Sequence, residues 1–466
     1  MREERGRTMP DAGAVPLTFG QLSVWRVMAQ WPPDRWVETY LSTAARVPDG
    51  CPAQRVVEAF GILCRRHESL RTHFVDTPHG PVQYVRPDAG PAQVATVECA
   101  GATRAEAQAA ARGLTRERIE RERDFARRFI LVTDRGRPSY AVLVTDHILA
   151  DGFALRRLRG ELTALLGGDD PDGQRWLDET PAQPRELALD QHSEANGGRR
   201  QAALDHWRRL LDTLPATLFP VPDEAGHHPG RIEAVLRSPG TRAALGSAAQ
   251  RLAVPPQGVL LALNSLALAT VTGTSQVVLT LQSSNRFTAP WRTLVSSMNQ
   301  YAPLALDLGA APDTFAEHAR QVQADSFRAY WFGSYDIDAV TALVRAERGI
   351  TLGFDHFYNF MAQDVPTDEA ADALVDRTSQ PPLIEPTRPN RQIGPRFDLK
   401  VYGGPDLPIH LRADPLLLPQ PRLHTLLAWF DEELHRLATD PATRVAEVLA
   451  RCEAALGPAP ARHTAS

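Results

Sequence analysis

SYAVLVTDHILADGFALRRLRGELTALLGG, residues Ser139 to Gly168, changes its periodicity in the middle. Ser139–Thr145 is a short apolar run that predicts a buried strand. From Asp151 onward, Leu155, Leu158, Leu162 and Leu165 recur at helical spacing, and Gly167-Gly168 ends the helix. His147 therefore falls in a loop between a buried strand and an amphipathic helix. Such a loop holds one side of an imidazole rigid and leaves the other open, as a general base requires. Asp151, beside a buried strand, needs a cationic partner. Gly152 leaves room for close approach of another backbone. The His-to-Asp spacing is wrong for a metal pair on one helix face, and no second histidine is near. By itself the pattern also suits a structural histidine at a strand end.

The rest of the chain narrows the function. Its 466 residues exceed what one core usually serves, so two or more domains are expected. A formal charge of −5 offers no footprint for nucleic acid or an anionic membrane. Lys400 is the only lysine, which removes a Schiff-base lysine elsewhere and a P-loop. Cys51, Cys64, Cys99 and Cys452 form no C-x-x-C pair and read as reduced thiols. The start MREERGRTMPDAGAVP has no apolar stretch, so it is not a secretory signal. No run of ~18 apolar residues predicts a membrane span. A soluble, cytoplasmic protein without bound metal is expected.

Residues 1–15 and 456–466 are expected to be disordered. Thr18 and Gln21 form a capping-box start for a first helix. WVETYLSTAARV (36–47) is strand-like, residues 52–70 form a second helix, and 70–85 read as a hairpin. GGDDPDGQRWLDETPAQP (167–184) is polar and rich in Pro and Gly, so a boundary is placed at 180–181. The first half is thus 16–180 and the second 181–455. In the second half, two helices flank Pro255-Pro256. SQVVLTLQSSNR (275–286), DHFYNF (355–360) and RFDLKVYGG (396–404) read as strands, and 419–441 as a long final helix. Both halves mix helices and strands.

Several stretches share an order with one family. RRHESLRTHF (65–74), PLTFGQLSVW (16–25), DHILADG (146–152), ALDHWRRLLDTLP (203–215), VVLTLQSSNR (277–286), SSMNQYAPL (296–304), FYNF (357–360) and FDLKVYGG (397–404) resemble segments of the condensation domains of nonribosomal peptide synthetases. The resemblance runs from about Pro16 to Pro441. It implies an α/β fold of two chloramphenicol-acetyltransferase-like halves, arranged as a V-shaped pseudodimer with a tunnel between them. His147 matches the second, functional histidine of the signature His-His-x-x-x-Asp-Gly. Asp151 matches the structural aspartate, whose partner from the second half would be Arg286. Gly152 matches the glycine whose backbone lies near the reacting carbonyl, and Asn299 an asparagine close to the tunnel. Tyr330-Trp331-Phe332 reads as core, with Tyr330 a candidate to line the tunnel.

The departure is Asp146, where the first signature histidine usually stands. If the strand continues that far, alternation turns it away from the side of His147. It would then accept from backbone, hydroxyl or cation, and an asparagine should serve nearly as well.

The resemblance implies acyl transfer from the phosphopantetheine arm of an acyl or peptidyl carrier protein to a small-molecule acceptor, with no bound cofactor, nucleic acid or membrane. Nothing resembles an adenylation or carrier domain, so a free-standing enzyme is expected. A CoA-dependent acyltransferase is a rival that RRHESLRTHF disfavours. A non-catalytic relative that docks a carrier protein or recruits a partner enzyme is another, kept open by Asp146. The epimerase pattern is missing around QSSNRF (282–287). His67 and His73 read as structural, and His227-His228 sits in a Gly/Pro-rich loop without a following Asp-Gly.

Overall fold

A computed structural model describes residues 13–213, 230–349, 353–362, 364–367, 381–389, 392 and 394–457. It divides into two units: Met1–Ala202, Ser284–Gln300 and Ser334–Ile337 form unit 1, and the remainder unit 2. The expected boundary at 180–181 falls inside unit 1. Residues 1–12, 458–466 and the His227-His228 pair lie outside the described residues. Ala14 and Val15, placed with the disordered start, are paired in a strand.

Unit 1 contains β1 (Ala14–Pro16), α1 (Phe19–Ala29), β2 (Leu41–Arg46), α2 (Ala53–Arg66), β3 (Thr72–Val75), β4 (Val82–Val85) and β5 (Val94–Glu98). There follow α3 (Arg104–Gly113), β6 (Arg127–Asp134), β7 (Arg137–Thr145), α4 (Gly152–Leu165), α5 (Pro171–Asp178) and α6 (Pro184–His192). A sheet ordered β2-β7-β6-β5 is the spine, beside a smaller one ordered β1-β4-β3. β7 is antiparallel to both its neighbours, with Thr145 opposite Leu41 and Arg127. A central strand is covered on both faces, which is why Ala141–Val144 is apolar without alternation.

Two readings of unit 1 need correction. Residues Trp36–Thr39, taken as part of a strand, belong to a 3-10 helix over Pro33–Thr39 with Pro33 at its start, and β2 begins only at Leu41. The stretch 167–184, read as a domain boundary, contains α5, capped by Asp170 at the Gly173 amide. Trp176 of α5 is buried against α4. A β-carbon at Gly173 would collide with the Gly160 carbonyl, and one at Gly160 with the Trp176 ring. The glycines that suggested a boundary allow two helices to cross closely.

α7 (Gly197–Thr213) runs from unit 1 into unit 2. Unit 2 continues with β8 (Ile232–Arg237), α8 (Pro239–Leu252), α9 (Pro256–Thr272), β9 (Gln276–Ser283), β10 (Gln300–Asp307), α10 (Phe315–Trp331) and α11 (Ile337–Arg348). β11 (His356–Phe360), β12 (Leu383–Thr387), β13 (Phe397–Val401), β14 (Ile409–Ala413), α12 (Gln420–Thr439) and α13 (Val445–Leu456) complete it. Its seven-stranded sheet is ordered β10-β9-β11-β13-β14-β8-β12. Strands β9, β11 and β13 are parallel, and β13, β14, β8 and β12 antiparallel. α9 is mostly apolar and buried all round from Gly258 to Val271, the pattern of a central core helix. No single helix among the described residues is long and apolar enough to cross a membrane; α8 and α9 pass that test only as a pair bent by 98°.

Burial sets an acid limit on unit 2. It lowers the pKa of His318 and of His356 to about 4, from an ordinary value of about 6.5. Unfolding lets both rings take up protons, so each contributes stability that fades below pH ~6.5 and is lost as pH falls towards the folded value. The melting temperature should therefore drop steadily from pH 6.5 to 4 in a calorimetric series, and less steeply in His318→Gln. A flat profile over that range would contradict the buried neutral state.

Candidate functional site

β7 ends at Thr145, and Asp146–Ala150 turn into α4. The Asp146 amide still donates to the Ala126 carbonyl (2.9 Å), and Leu149 N–H closes the turn on the Asp146 carbonyl (3.1 Å). From Tyr140 to Asp151, every residue except His147 is buried. Asp151 is the N-cap of α4: its Oδ1 accepts from the Ala154 amide (2.9 Å). Its Oδ2 accepts from Arg286 Nη1 (2.6 Å) and from the Met298 amide (3.0 Å). Residues Ser284–Gln300, between β9 and β10, belong to unit 1, and Arg286 organises them. Its Nη2 donates to the carbonyls of Leu294 (3.2 Å) and Ser296 (3.1 Å), and its guanidinium lies over the Phe153 ring. The buried carboxylate is thus matched by a buried cation and two amides.

Asp146 is fully buried and has its own cation. Arg121 meets it in a bidentate pair, Nε to Oδ2 and Nη2 to Oδ1, both 2.8 Å. Oδ1 also accepts the Ile148 amide (3.0 Å), an Asx turn that shapes the loop under His147. The Arg121 guanidinium sits over Trp36 at 4.5 Å and Trp25 at 5.4 Å. Because β7 stops at Thr145, strand alternation does not aim Asp146; Arg121 and the Asx turn do. An asparagine would therefore not serve nearly as well. Its NH2 would face a guanidinium N–H and leave the cation uncompensated.

A third buried charge group underlies α4. Glu161 accepts from Arg157 Nε (2.8 Å) and contacts His67 Nε2 (2.7 Å) and Arg66 Nε (3.4 Å). Burial pushes the Glu161 carboxyl up, and hydrogen bonds and charge from His67 and Arg157 bring it below the usual carboxylate range. Burial, above all, holds His67 below its ordinary value, against the opposing pull of its hydrogen bond and charge interaction with Glu161. Arg157 Nη1 reaches on to the Thr293 carbonyl (2.6 Å). Arg66, the last residue of α2, and His67, which follows it, are therefore scaffolding for α4. A signal for Arg157 and Glu161 was present: charges at i and i+4 on a helix this apolar.

Of the other candidates, Gly152 and Asn299 lie in unit 1 with His147, and Tyr330 in unit 2. Gly152 opens α4 and is exposed; a β-carbon there would meet nothing within 4 Å. Asn299 lies in the 284–300 segment, with Oδ1 3.3 Å from Ser297 Oγ. Ser297, which sequence reasoning passed over, has its hydroxyl 3.4 Å from His147 Nδ1. Tyr330 belongs to unit 2, packed against that unit's core, where burial pushes its phenol up to about 12. The core reading of Tyr330-Trp331-Phe332 fails for Trp331, which is 67% exposed, while Phe332 stacks on His206. No group of three or more His, Cys, Asp or Glu suited to a metal occurs among the described residues.

Asp151→Ala should cost about 3–5 kcal/mol in denaturant unfolding, since it strands the Arg286 cation. Arg121→Ala should cost a similar amount by stranding Asp146, and Asp146→Asn should lower the melting temperature clearly. Wild-type unfolding curves for either residue 146 or residue 121 variants would show that their pair does not hold the loop.

Residues 15–453 match the model of the Condensation domain. Phosphinothricin tripeptide synthetase PhsC of Streptomyces viridochromogenes is 30% identical over 216 residues, 46% of this chain and 20% of that protein. The nonribosomal peptide synthetase asqK of Emericella nidulans is 24% identical over 356 residues, 73% of this chain and 13% of that protein. The chain spans 20% or less of the length of these curated relatives. Among solved structures, the condensation domain of the Monacolin K polyketide synthase MokA is similar at a TM-score of 0.72 and 18% identity, covering 93% of this chain and 99% of that one. The SgcC5 protein from Streptomyces globisporus, in complex with a naphthyl ethanediol and sucrose, is similar at a TM-score of 0.66 and 16% identity, covering 92% and 100%. At such identities the structures speak to the fold alone, but the family model covers nearly all of the sequence. The chain belongs to the condensation-domain family, which forms amide and ester bonds in the setting of nonribosomal peptide synthesis.

Proposed function

We propose that the chain is a condensation enzyme. It transfers an acyl group from the phosphopantetheine thioester of a carrier protein to a hydroxyl or amine of a small-molecule acceptor. One observation carries the reading: in an otherwise buried run from Tyr140 to Asp151, His147 alone reaches the surface. The loop is clamped on both sides, by Asp146–Arg121 and by Asp151–Arg286. That is how a fold presents a single imidazole in a fixed place.

In the reaction, His147 takes the proton from the acceptor O–H or N–H as the acceptor atom attacks the thioester carbonyl carbon. The carbon–sulfur bond of the tetrahedral intermediate then breaks, and the departing thiolate recovers the proton from the imidazolium. Both substrates are held together, so no acyl-enzyme is required. The thioester is already activated, and the chain needs neither metal nor bound cofactor. Asp151 positions the loop without touching substrate. The open space at Gly152 admits the reacting carbonyl. A hydroxyl gains more from a general base than an amine, because its proton is far less acidic. The work is done in the cytoplasm, without nucleic acid or membrane as partner.

The test follows acyl loss from loaded carrier protein by intact-mass spectrometry, with candidate acceptors present. His147→Ala should remain folded and transfer at least ~100-fold more slowly. Undiminished transfer by that variant would remove His147 from the chemistry. Equal rates with acyl-CoA in place of loaded carrier would move the assignment to a CoA-dependent acyltransferase.

A further inference from the structure

A histidine acting as a base needs its lone pair on the correct nitrogen, and the partner of its other nitrogen decides which that is. The Ser297 hydroxyl lies 3.4 Å from His147 Nδ1 and 3.3 Å from Asn299 Oδ1. An amide oxygen only accepts. Ser297 therefore gives its proton to Asn299 and turns a lone pair towards the imidazole. That lone pair is satisfied by an N–H at Nδ1. We infer that Ser297 is a positioning residue that holds His147 in the Nδ1–H tautomer, leaving Nε2 as the basic nitrogen, with Asn299 setting the direction of the relay. The catalytic meaning of this tautomer rests on the function proposed above; the tautomer itself does not.

Ser297 is built to hold one place. It is fully buried. On one side Gly20 of α1 has no side chain, and a β-carbon there would collide with the Ser297 carbonyl. On the other, the following amide, that of Met298, is held by Asp151 Oδ2 (3.0 Å). The preceding carbonyl, that of Ser296, is held by Arg286 (3.1 Å), and the Met298 carbonyl by Asn285 Nδ2 (2.9 Å). With its backbone fixed at both neighbours, the hydroxyl can adjust only by rotation about its own side chain. All of these groups belong to unit 1. The acceptor is also uncharged. A carboxylate in this place would favour the imidazolium strongly and hinder release of the proton. A hydroxyl fixes the tautomer with a weaker pull on the charge.

The decisive measurement is the tautomer, read without substrate. The full chain carrying 15N-labelled histidine gives long-range proton–nitrogen correlations for each ring, and His147→Gln identifies the signal of His147. The expected pattern is a protonated Nδ1 and an unprotonated Nε2. Ser297→Ala should shift the ring towards the Nε2–H form and slow acyl transfer roughly ten-fold, with unchanged melting temperature. Ser297→Thr keeps the hydroxyl and should restore both the pattern and most of the rate. Should Ser297→Ala not fold, Ser297→Cys, with its weak sulfur acceptor, should show the same shift in part. An Nε2–H pattern in the full chain, or a pattern indifferent to the Ala and Cys substitutions, overturns the inference. Undiminished transfer by His147→Ala would instead overturn the proposed function and leave the tautomer standing.

Discussion

The site rests on one carboxylate. Asp151 is at once the N-cap of α4, the counter-ion of Arg286 and the acceptor for the Met298 amide. Each role engages a different part of unit 1. The first fixes where the helix starts, and hence where the preceding turn ends. The second gathers the ends of the 284–300 segment around one guanidinium. The third brings Ser297 and Asn299 to the level of His147. A neutral side chain could cap the helix, but it would leave Arg286 buried without its counter-charge.

Unit 1 uses this device repeatedly. Asp146 with Arg121, and Glu161 with Arg157, are carboxylates and guanidiniums that are both almost without solvent. Such pairs add little net stability over apolar residues of the same size, because desolvation offsets the attraction. What they impose is intolerance of rearrangement, since any shift that parts them exposes an unpaired charge to a medium of low polarity. A turn that must hold an imidazole steady gains from that intolerance. Asp146 stands where the resemblance places the first signature histidine. Its carboxylate is met by Arg121, whose guanidinium lies over the faces of Trp25 and Trp36.

Local features were legible in the sequence, and distant pairings mostly were not. The capping box of Thr18 and Gln21, the break at Pro255-Pro256 and the passage from β7 to α4 depend on neighbours within a few residues, and each occurs. Arg286 was legible through the resemblance alone; nothing in its surroundings points back to Asp151, 135 residues earlier. Arg121 could not be matched to Asp146, because its context between two polar turns resembles that of any surface arginine. The segment 167–184 misled for a definite reason: glycine serves a loop and a close helix crossing equally well, and composition does not separate them. Trp331 misled in the opposite direction. An aromatic run suggests a core, yet successive helical residues point to different sides, so Tyr330 packs inward while Trp331 faces out.

The assignment of residues 284–300 to unit 1 also bears on the order of events during synthesis. β7, the His147 turn and α4 leave the ribosome early, but the cation and the amide that complete Asp151 follow 135 and 147 residues later. At synthesis rates of about 5–20 residues per second, that is a delay of roughly seven to thirty seconds. Until then the nascent first unit carries an acidic group made for burial and without its mate. Its cooperative closure has to wait for a strand of another sheet, β9, to emerge and deliver the missing loop. The first unit is therefore contiguous in space but not in time, and it cannot mature as an independent module.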